Sequence, residues 1–388
     1  MKITKVRPIC LRAETAGCVA DGRSVCGART SFLVRLETDC GLTGLGEAAS
    51  FGAPLDVLKL ILERQVAPLL EGQDPEREDL FERMYWALYA CGRTGLVMAC
   101  ISAADIALWD LRGKARGQSV CRMLGGRSDR AASYASAGFY APGKGLDSLK
   151  REMEGYLERG FRAFKMKVGR GMPAESSPRR FAGQESAMPL NFEEDLARVR
   201  TVRETVGRAP LMLDMNCTWT ARTLAGNRPF LKEMDIFWLE EPVCMDDSRE
   251  LQAAVQAAEG IPLAGCESAQ TLPQYERLAE NGVRVLQADA GWAGGLTGAL
   301  RIAALARERG LQFAPHTFFG AVLNAANVHL CAALENSPFI ESEENENPLR
   351  TRLLKRPLET DGAMNYLVPQ APGLGIELDP DALEAYGV

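Results

Sequence analysis

Phe164-Lys165-Met166-Lys167-Val168-Gly169 decides how the rest of the chain is read. Alternate residues of a strand point to opposite faces, so Lys165 and Lys167 share one face and Phe164, Met166 and Val168 the other. Two ammonium groups side by side repel and lower each other's pKa. A core strand tolerates them only if their shared face borders a site rich in anions. The search for those anions leads outward along the chain.

Short apolar runs recur from residue 126 onward, each followed by a helical stretch. They are SYASAGFY (133–140), FRAFKMKV (161–168), APLMLDM (209–215), IFWLEE (236–241), IPLAGCE (261–267), VRVLQAD (283–289), LQFAPH (311–316) and PFIES (338–342). Eight such units predict a (β/α)8 barrel, in which catalytic groups occupy the C-terminal strand ends. Those ends carry Lys165 and Lys167, then Asp214, Glu240, Glu267, Asp289, His316 and Glu341. From Asp214 the intervals are 26, 27, 22, 27 and 25 residues, one β/α unit each. A polar group thus recurs at one height on successive strands.

Ahead of the barrel, ITKVRPICL and SFLVRLETD read as strands, with residues 15–30 between them loop-like in composition. LVMACISAADIALWDLRGKA has the spacing of a buried amphipathic helix. The expected fold class is α/β: a modified barrel of residues 126–350, an α+β capping domain of residues 1–125, and a segment, 351–388, that returns to the cap. A Pro/Gly/Ser/Arg-rich insertion at 169–191 separates the second and third barrel strands. It reads as a solvated surface segment, or as a flap over the mouth or an oligomer contact.

Asp214, Glu240 and Glu267 lie on three consecutive strands. Three converging carboxylates need a counter-charge, and all-oxygen ligation suits Mg2+. Asp289, one unit before His316, can hold the imidazole tautomer and raise its pKa. Lys165 can meet the metal carboxylates or a substrate carboxylate. Its charge helps keep Lys167 partly neutral and able to accept a proton. Glu341 can donate a hydrogen bond to a carboxylate oxygen if it retains its proton. Glu241 points away from Glu240 and reads as structural, and His329 as a packed or solvated helix histidine. Such a set suits removal of a weakly acidic proton next to a carboxylate, because Mg2+ and nearby donors stabilise the resulting ene-diolate. With two acid/base groups the outcome is racemisation or epimerisation, or dehydration.

The segments ISAADIALWDLRGKARGQSVCRMLGG, KMK, LDMN, LEEP, AGCES, QAD and PHTFFG together resemble the mandelate racemase subgroup of the enolase superfamily over essentially the whole length. The resemblance implies Mg2+ on Asp214, Glu240 and Glu267, Lys167 and His316 as acid/base groups, Asp289 as partner of His316, Glu341 as a donor to the enolate, and Asn216 lining the site. It also implies a sugar-acid substrate, with dehydration ahead of epimerisation or lactone cycloisomerisation. A barrel that merely binds a sugar acid is the remote alternative. No lysine occurs between Lys232 and Lys355, which excludes the branch with a second catalytic lysine near strand six. Substrate choice is expected from cap residues 15–30 and 50–53, where Arg23, Arg29 and Phe51 stand. A capping arginine could bind a distal carboxylate, as in a diacid; an ordinary surface role is the simpler reading of both. Tyr140, Trp219, Trp292, Phe318 and Phe319 are candidate pocket residues.

Bulk properties narrow the partners. A net charge of −6 with interspersed signs gives no basic stripe for nucleic acid. No apolar run is long enough to span a membrane, and the first residues lack a signal-peptide core. Eleven cysteines without a C-x-x-C pair suit a reducing cytoplasm and read mostly as small core residues. The expected partner is a small carboxylate, and the resemblance implies a homo-oligomer.

Overall fold

The computed structural model describes residues 1–171 and 191–388. Most of the 169–191 insertion, residues 172–190, lies outside the described residues. The cap opens with an antiparallel meander, β1 (Ile3–Ala20), β2 (Val25–Thr38) and β3 (Thr43–Ala48). Residues 15–30, expected as loop, are the tip of the β1–β2 hairpin instead. Pairs such as Glu14 with Ala28 and Ala20 with Val25 continue the ladder there. Small residues with no apolar alternation gave no strand signal. The backbone pairing supplies it, and Asp21 closes the turn by accepting the Arg23 and Ser24 N–H groups at 2.6 Å.

The helix Leu96–Arg116 is buried along nearly its whole length and ends at Gly117, which takes the left-handed conformation (φ 65°). It lies flush on β3 because β3 offers it glycines. A Cβ on Gly46 would meet the Ala103 carbonyl at 1.9 Å, and one on Gly44 the Ala107 carbonyl at 2.1 Å. The alternate residues Leu45 and Glu47 face the barrel: Leu45 joins its apolar core, and Glu47 binds its backbone.

A two-stranded ribbon, β4 (Arg130–Ala131) with β13 (Tyr366–Leu367), flanks the barrel. The barrel strands are β5 (Ser133–Ala137), β6 (Phe164–Lys167), β7 (Leu211–Asp214), β8 (Ile236–Glu240), β9 (Leu263–Gly265), β10 (Val285–Leu286), β11 (Gln312–Phe313) and β12 (Ile340–Glu343). All eight expected runs contain a strand. They form one curled parallel sheet in the order β11-β10-β9-β8-β7-β6-β5-β12, with β12 returning to pair with β5. Among the described residues no ladder joins β11 to β12. Tyr134, Met212, Trp238, Ala264, Val285 and Ala314 fill the interior beneath the mouth.

Cap, barrel and tail are joined by buried acids that accept backbone N–H groups. Glu47 accepts from Gly320 and Leu323, at the start of the barrel helix Ala321–Ala333 (2.8 and 2.9 Å). Asp105 accepts from the Thr297 N–H at 2.9 Å, in the first turn of the helix Gly295–Glu308. Asp110 takes the N–H groups of Leu45 and of Leu374 in the returning tail, both at 2.8 Å. Helix N-termini leave N–H groups unpaired and favour negative charge, so Glu47 and Asp105 serve both needs. The tail also reaches β1, where Val388 N–H donates to the Cys10 carbonyl at 3.1 Å.

No helix among the described residues is long and apolar enough to cross a membrane. All eleven cysteines are free, and four, Cys100, Cys121, Cys266 and Cys331, are buried, so the core accounts for fewer of them than expected.

His329 is fully buried in the helix Ala321–Ala333. Its Nδ1 accepts the Cys121 N–H at 3.1 Å, which leaves Nε2 to donate to the Leu374 carbonyl at 3.1 Å. Burial lowers its pKa to about 4, because a second ring proton would be desolvated and would point at the Cys121 N–H. The neutral ring thus contributes stability that is complete above pH 6.5 and lost as pH falls toward 4, roughly 3 kcal/mol in all. Urea unfolding of wild type and His329→Gln at pH 7 and pH 4.5 should show a steeper acid loss in wild type.

Candidate active site

Register brings the first charges together. Lys167 pairs with Asp214 across β6–β7, and Asp214 with Glu240 across β7–β8. In a parallel sheet residues in register point the same way, so three consecutive strands deliver three charged groups to one rung. Glu267 follows β9 and completes the acid group. One carboxylate oxygen each of Asp214, Glu240 and Glu267 lies within 4.8 Å of the others.

Lys165 is buried among acids, 2.5 Å from Glu240, 2.9 Å from Glu341 and 3.9 Å from Asp214. Burial alone would neutralise it, but those carboxylates hold its pKa well above the ordinary lysine value. Lys167 contacts Asp214 and lies 5.2 Å over the Phe139 ring. Here the structure departs from the expectation of a partly neutral amine. Burial and the Lys165 charge both depress the Lys167 pKa, yet the Asp214 carboxylate outweighs them and raises it.

His316 Nδ1 is 2.7 Å from Asp289 Oδ2, and Nε2 is 3.3 Å from Glu267. Burial opposes the imidazolium, but Glu267, Asp289 and Glu341 together raise its pKa to about 9. Glu341 is ionised rather than protonated: burial raises its pKa, and Lys165, His316 and Lys167 more than reverse this. It accepts the Thr317 N–H at 2.9 Å. Asn216 lines the cavity with a positive φ of 44°, and its buried Oδ1 has no partner. Glu241 stays outside the acid group and accepts the Glu267 N–H at 3.1 Å.

The donor set fits a hard divalent cation. Five buried acids (Asp214, Glu240, Glu267, Asp289, Glu341) face two lysines and one histidine, leaving an excess of two negative charges even with the histidine protonated. Burial accordingly raises Glu240 to about 8 and Glu267 to about 7 despite Lys165 and His316 beside them. A dication removes that excess.

A cavity of about 1260 Å³ opens from this floor to the β1–β2 hairpin. Trp292, Phe318 and Phe319 line it; Tyr140 and Trp219 do not. Tyr140 instead donates to Asp195 at 2.6 Å, and Trp219 packs on Phe192. Phe51 stacks on the His316 ring at 5.9 Å. Arg29 is no surface residue, being 5% exposed, and Arg23 stands 3.9 Å from Glu267. Sequence reasoning missed Gln287, which donates to Glu240 at 2.7 Å. The signal was present: Gln287 is two residues before Asp289. It also missed Phe139 and the Thr317 N–H, for which single residue types give no cue.

Residues 148–382 match the model of the enolase C-terminal domain-like family, and residues 21–125 that of the mandelate racemase / muconate lactonizing enzyme N-terminal domain. The chain is 32% identical to arabinonate dehydratase of Saccharolobus solfataricus over 90% of this chain and 89% of that one. It is 30% identical to D-galactarolactone cycloisomerase of Agrobacterium fabrum over 100% and 99%. Among solved structures, L-talarate dehydratase from Polaromonas sp. JS666, complexed with Mg and L-glucarate, superposes with a TM-score of 0.84 at 28% identity, covering 100% and 97%.

Titrating the metal-free protein with Mg2+ should raise its melting temperature with the logarithm of the Mg2+ concentration, by an amount equivalent to about 2.7 kcal/mol at a hundredfold excess over Kd. In Glu240→Gln the response should shrink or vanish at the same Mg2+ concentrations.

Proposed function

This chain belongs to the mandelate racemase subgroup of the enolase superfamily, and we propose that it abstracts the α-proton of a sugar acid in a Mg2+-dependent reaction and then eliminates water to give a 2-keto acid. One observation carries the reading. Lys167 and His316, from the second and seventh barrel strands, line a single cavity beside the acid group.

Asp214, Glu240 and Glu267 would hold the Mg2+; its charge would stabilise an ene-diolate, and the Asp214 carboxylate would then be engaged by the ion. With that carboxylate engaged, burial and the neighbouring Lys165 ammonium both favour neutral Lys167. Lys167 Nζ then takes the α-proton. Lys165, charged and buried, holds the substrate carboxylate, and Asn216 Oδ1 is free to accept from a hydroxyl. His316, whose protonated form Asp289 and Glu341 favour, gives its Nε2 proton to the departing β-hydroxyl, which leaves as water. The enol product tautomerises to the keto acid. Asp289 keeps the proton of Nδ1 in place, so Nε2 is the exchanging atom. Glu341 steadies Lys165 and the Thr317 backbone.

An isomerase on the same residues is the second reading, favoured by the end-to-end match to a lactone cycloisomerase. There the second acid/base group returns a proton to carbon. We divide the chain into a cap (1–125), a barrel (126–350) and a tail (351–388), and place it in the cytoplasm on its eleven free thiols. We expect a homo-oligomer, as the family resemblance suggests.

The test is incubation with Mg2+ and a panel of sugar acids and lactones in D2O. Keto acid should form, and Lys167→Ala and His316→Asn should each lower kcat by about 10²- to 10⁴-fold. Deuterium at the α-carbon or ring rearrangement without keto acid would replace the dehydratase with the isomerase.

A further inference from the structure

The far end of the cavity is charge-neutral. Arg29, on β2, donates through Nη2 to Glu343 Oε1 at 2.9 Å and through Nε to the Glu346 carbonyl at 3.1 Å. The two side chains are 5% and 0% exposed, so the guanidinium charge is committed to Glu343. Of the other cavity arginines, Arg12 pairs with Glu14 at 2.7 Å out in solvent, and Arg23 stands 3.9 Å from Glu267, toward the barrel end. Among the described residues, each arginine that lines the cavity therefore faces a carboxylate, and Lys59 is exposed at the rim.

Among the described residues, three polar atoms at that end have no hydrogen-bond partner: Arg29 Nη1, Glu343 Oε2 and Asn347 Oδ1. They are sealed from bulk water, and Arg29 and Asn347 both belong to the cavity wall. One is a donor and two are acceptors. A hydroxyl group can serve both kinds, accepting from Nη1 and donating to an oxygen. A carboxylate can only accept, and it would add a second negative charge beside Glu343, where among the described residues the one guanidinium, Arg29, is already paired.

Building on the function argued above, we propose that the substrate carries a single carboxylate and that its far end is a neutral hydroxylated chain or ring seated against Arg29 and Asn347. The substrate class is thus the aldonates, with their neutral-ended anhydro or cyclic forms, rather than the aldarates. Phe318, stacked against Arg29 at 4.7 Å, and Phe51 enclose the carbon chain between the two ends.

The experiment compares Mg2+-loaded full-length protein on pairs of C5 and C6 acids of matched configuration that differ only at the terminal carbon, CH2OH against COO−. Turnover is read as keto acid formation together with α-deuterium incorporation. The aldonate of the preferred pair should exceed its aldarate at least 100-fold in kcat/KM. An aldarate turned over as well as or better than its aldonate overturns the inference while leaving the function intact. Glu343→Gln releases the Arg29 charge and should narrow the preference tenfold or more, through KM for the aldarate; an unchanged ratio in the folded variant overturns the seat at Arg29. If that variant does not fold, the wild-type ratio still decides the substrate class. Absence of turnover and of deuterium exchange with both classes, in protein that binds Mg2+, overturns the proposed function and the inference with it.

Discussion

The structure depends on one electrostatic constraint: more buried carboxylate than buried cation at one end of a barrel. Isolated, each of these acids would protonate rather than stay charged in so dry a place. Lys165 limits the imbalance by touching Glu240 and Glu341 and standing near Asp214. It cannot remove the imbalance, and Glu240 and Glu267 therefore titrate high in the metal-free protein. A fold that keeps such a group of acids together must hold them by geometry. Here the geometry is a parallel ladder whose register puts Lys167, Asp214 and Glu240 on one rung.

That ladder would be of little use if the cap moved freely over it. The cap contributes Phe51 against His316 and Arg29 to the cavity wall, and both need a fixed frame. The frame is a second set of buried acids with a different purpose. Glu47, Asp105 and Asp110 bind N–H groups of two barrel helices and of the tail rather than side-chain cations, apart from the Lys114 contact of Asp110. An N–H group is rigid and carries no rotamer entropy, so such bonds fix position more tightly than surface ion pairs do. Glu47 acts directly beside the chemistry, because the Gly320 N–H it accepts is four residues beyond His316.

The barrel was legible because its signal is periodic: eight apolar runs ending in polar residues at one β/α interval. The charged residues of the site were legible for the same reason. Neither the hairpin tip nor the protonation states could be read that way. Residues 15–30 pair through backbone groups that every residue possesses, so side-chain pattern carries no trace of the ladder. Protonation depends on distances across strands. Two adjacent lysines suggest a lowered pKa, and the Asp214 contact, 47 residues away in sequence, reverses the sign. Arg29 looked like a surface residue for the same reason, since its partner Glu343 is 314 positions distant.

Charge is therefore distributed unevenly along the cavity, and the unevenness separates two tasks. At the barrel end, excess negative charge calls for a dication beside Lys167 and His316. At the cap end, Arg29 and Glu343 cancel, leaving hydrogen-bond geometry but no net field. A ligand with an anionic head and a neutral tail has one orientation that satisfies both ends. Reversed, its carboxylate would face Glu343 while its hydroxyls met the charged floor of the barrel. Discrimination between the two orientations then comes from the penalty on the wrong one, unpaired charge in a dry site, more than from added attraction in the right one.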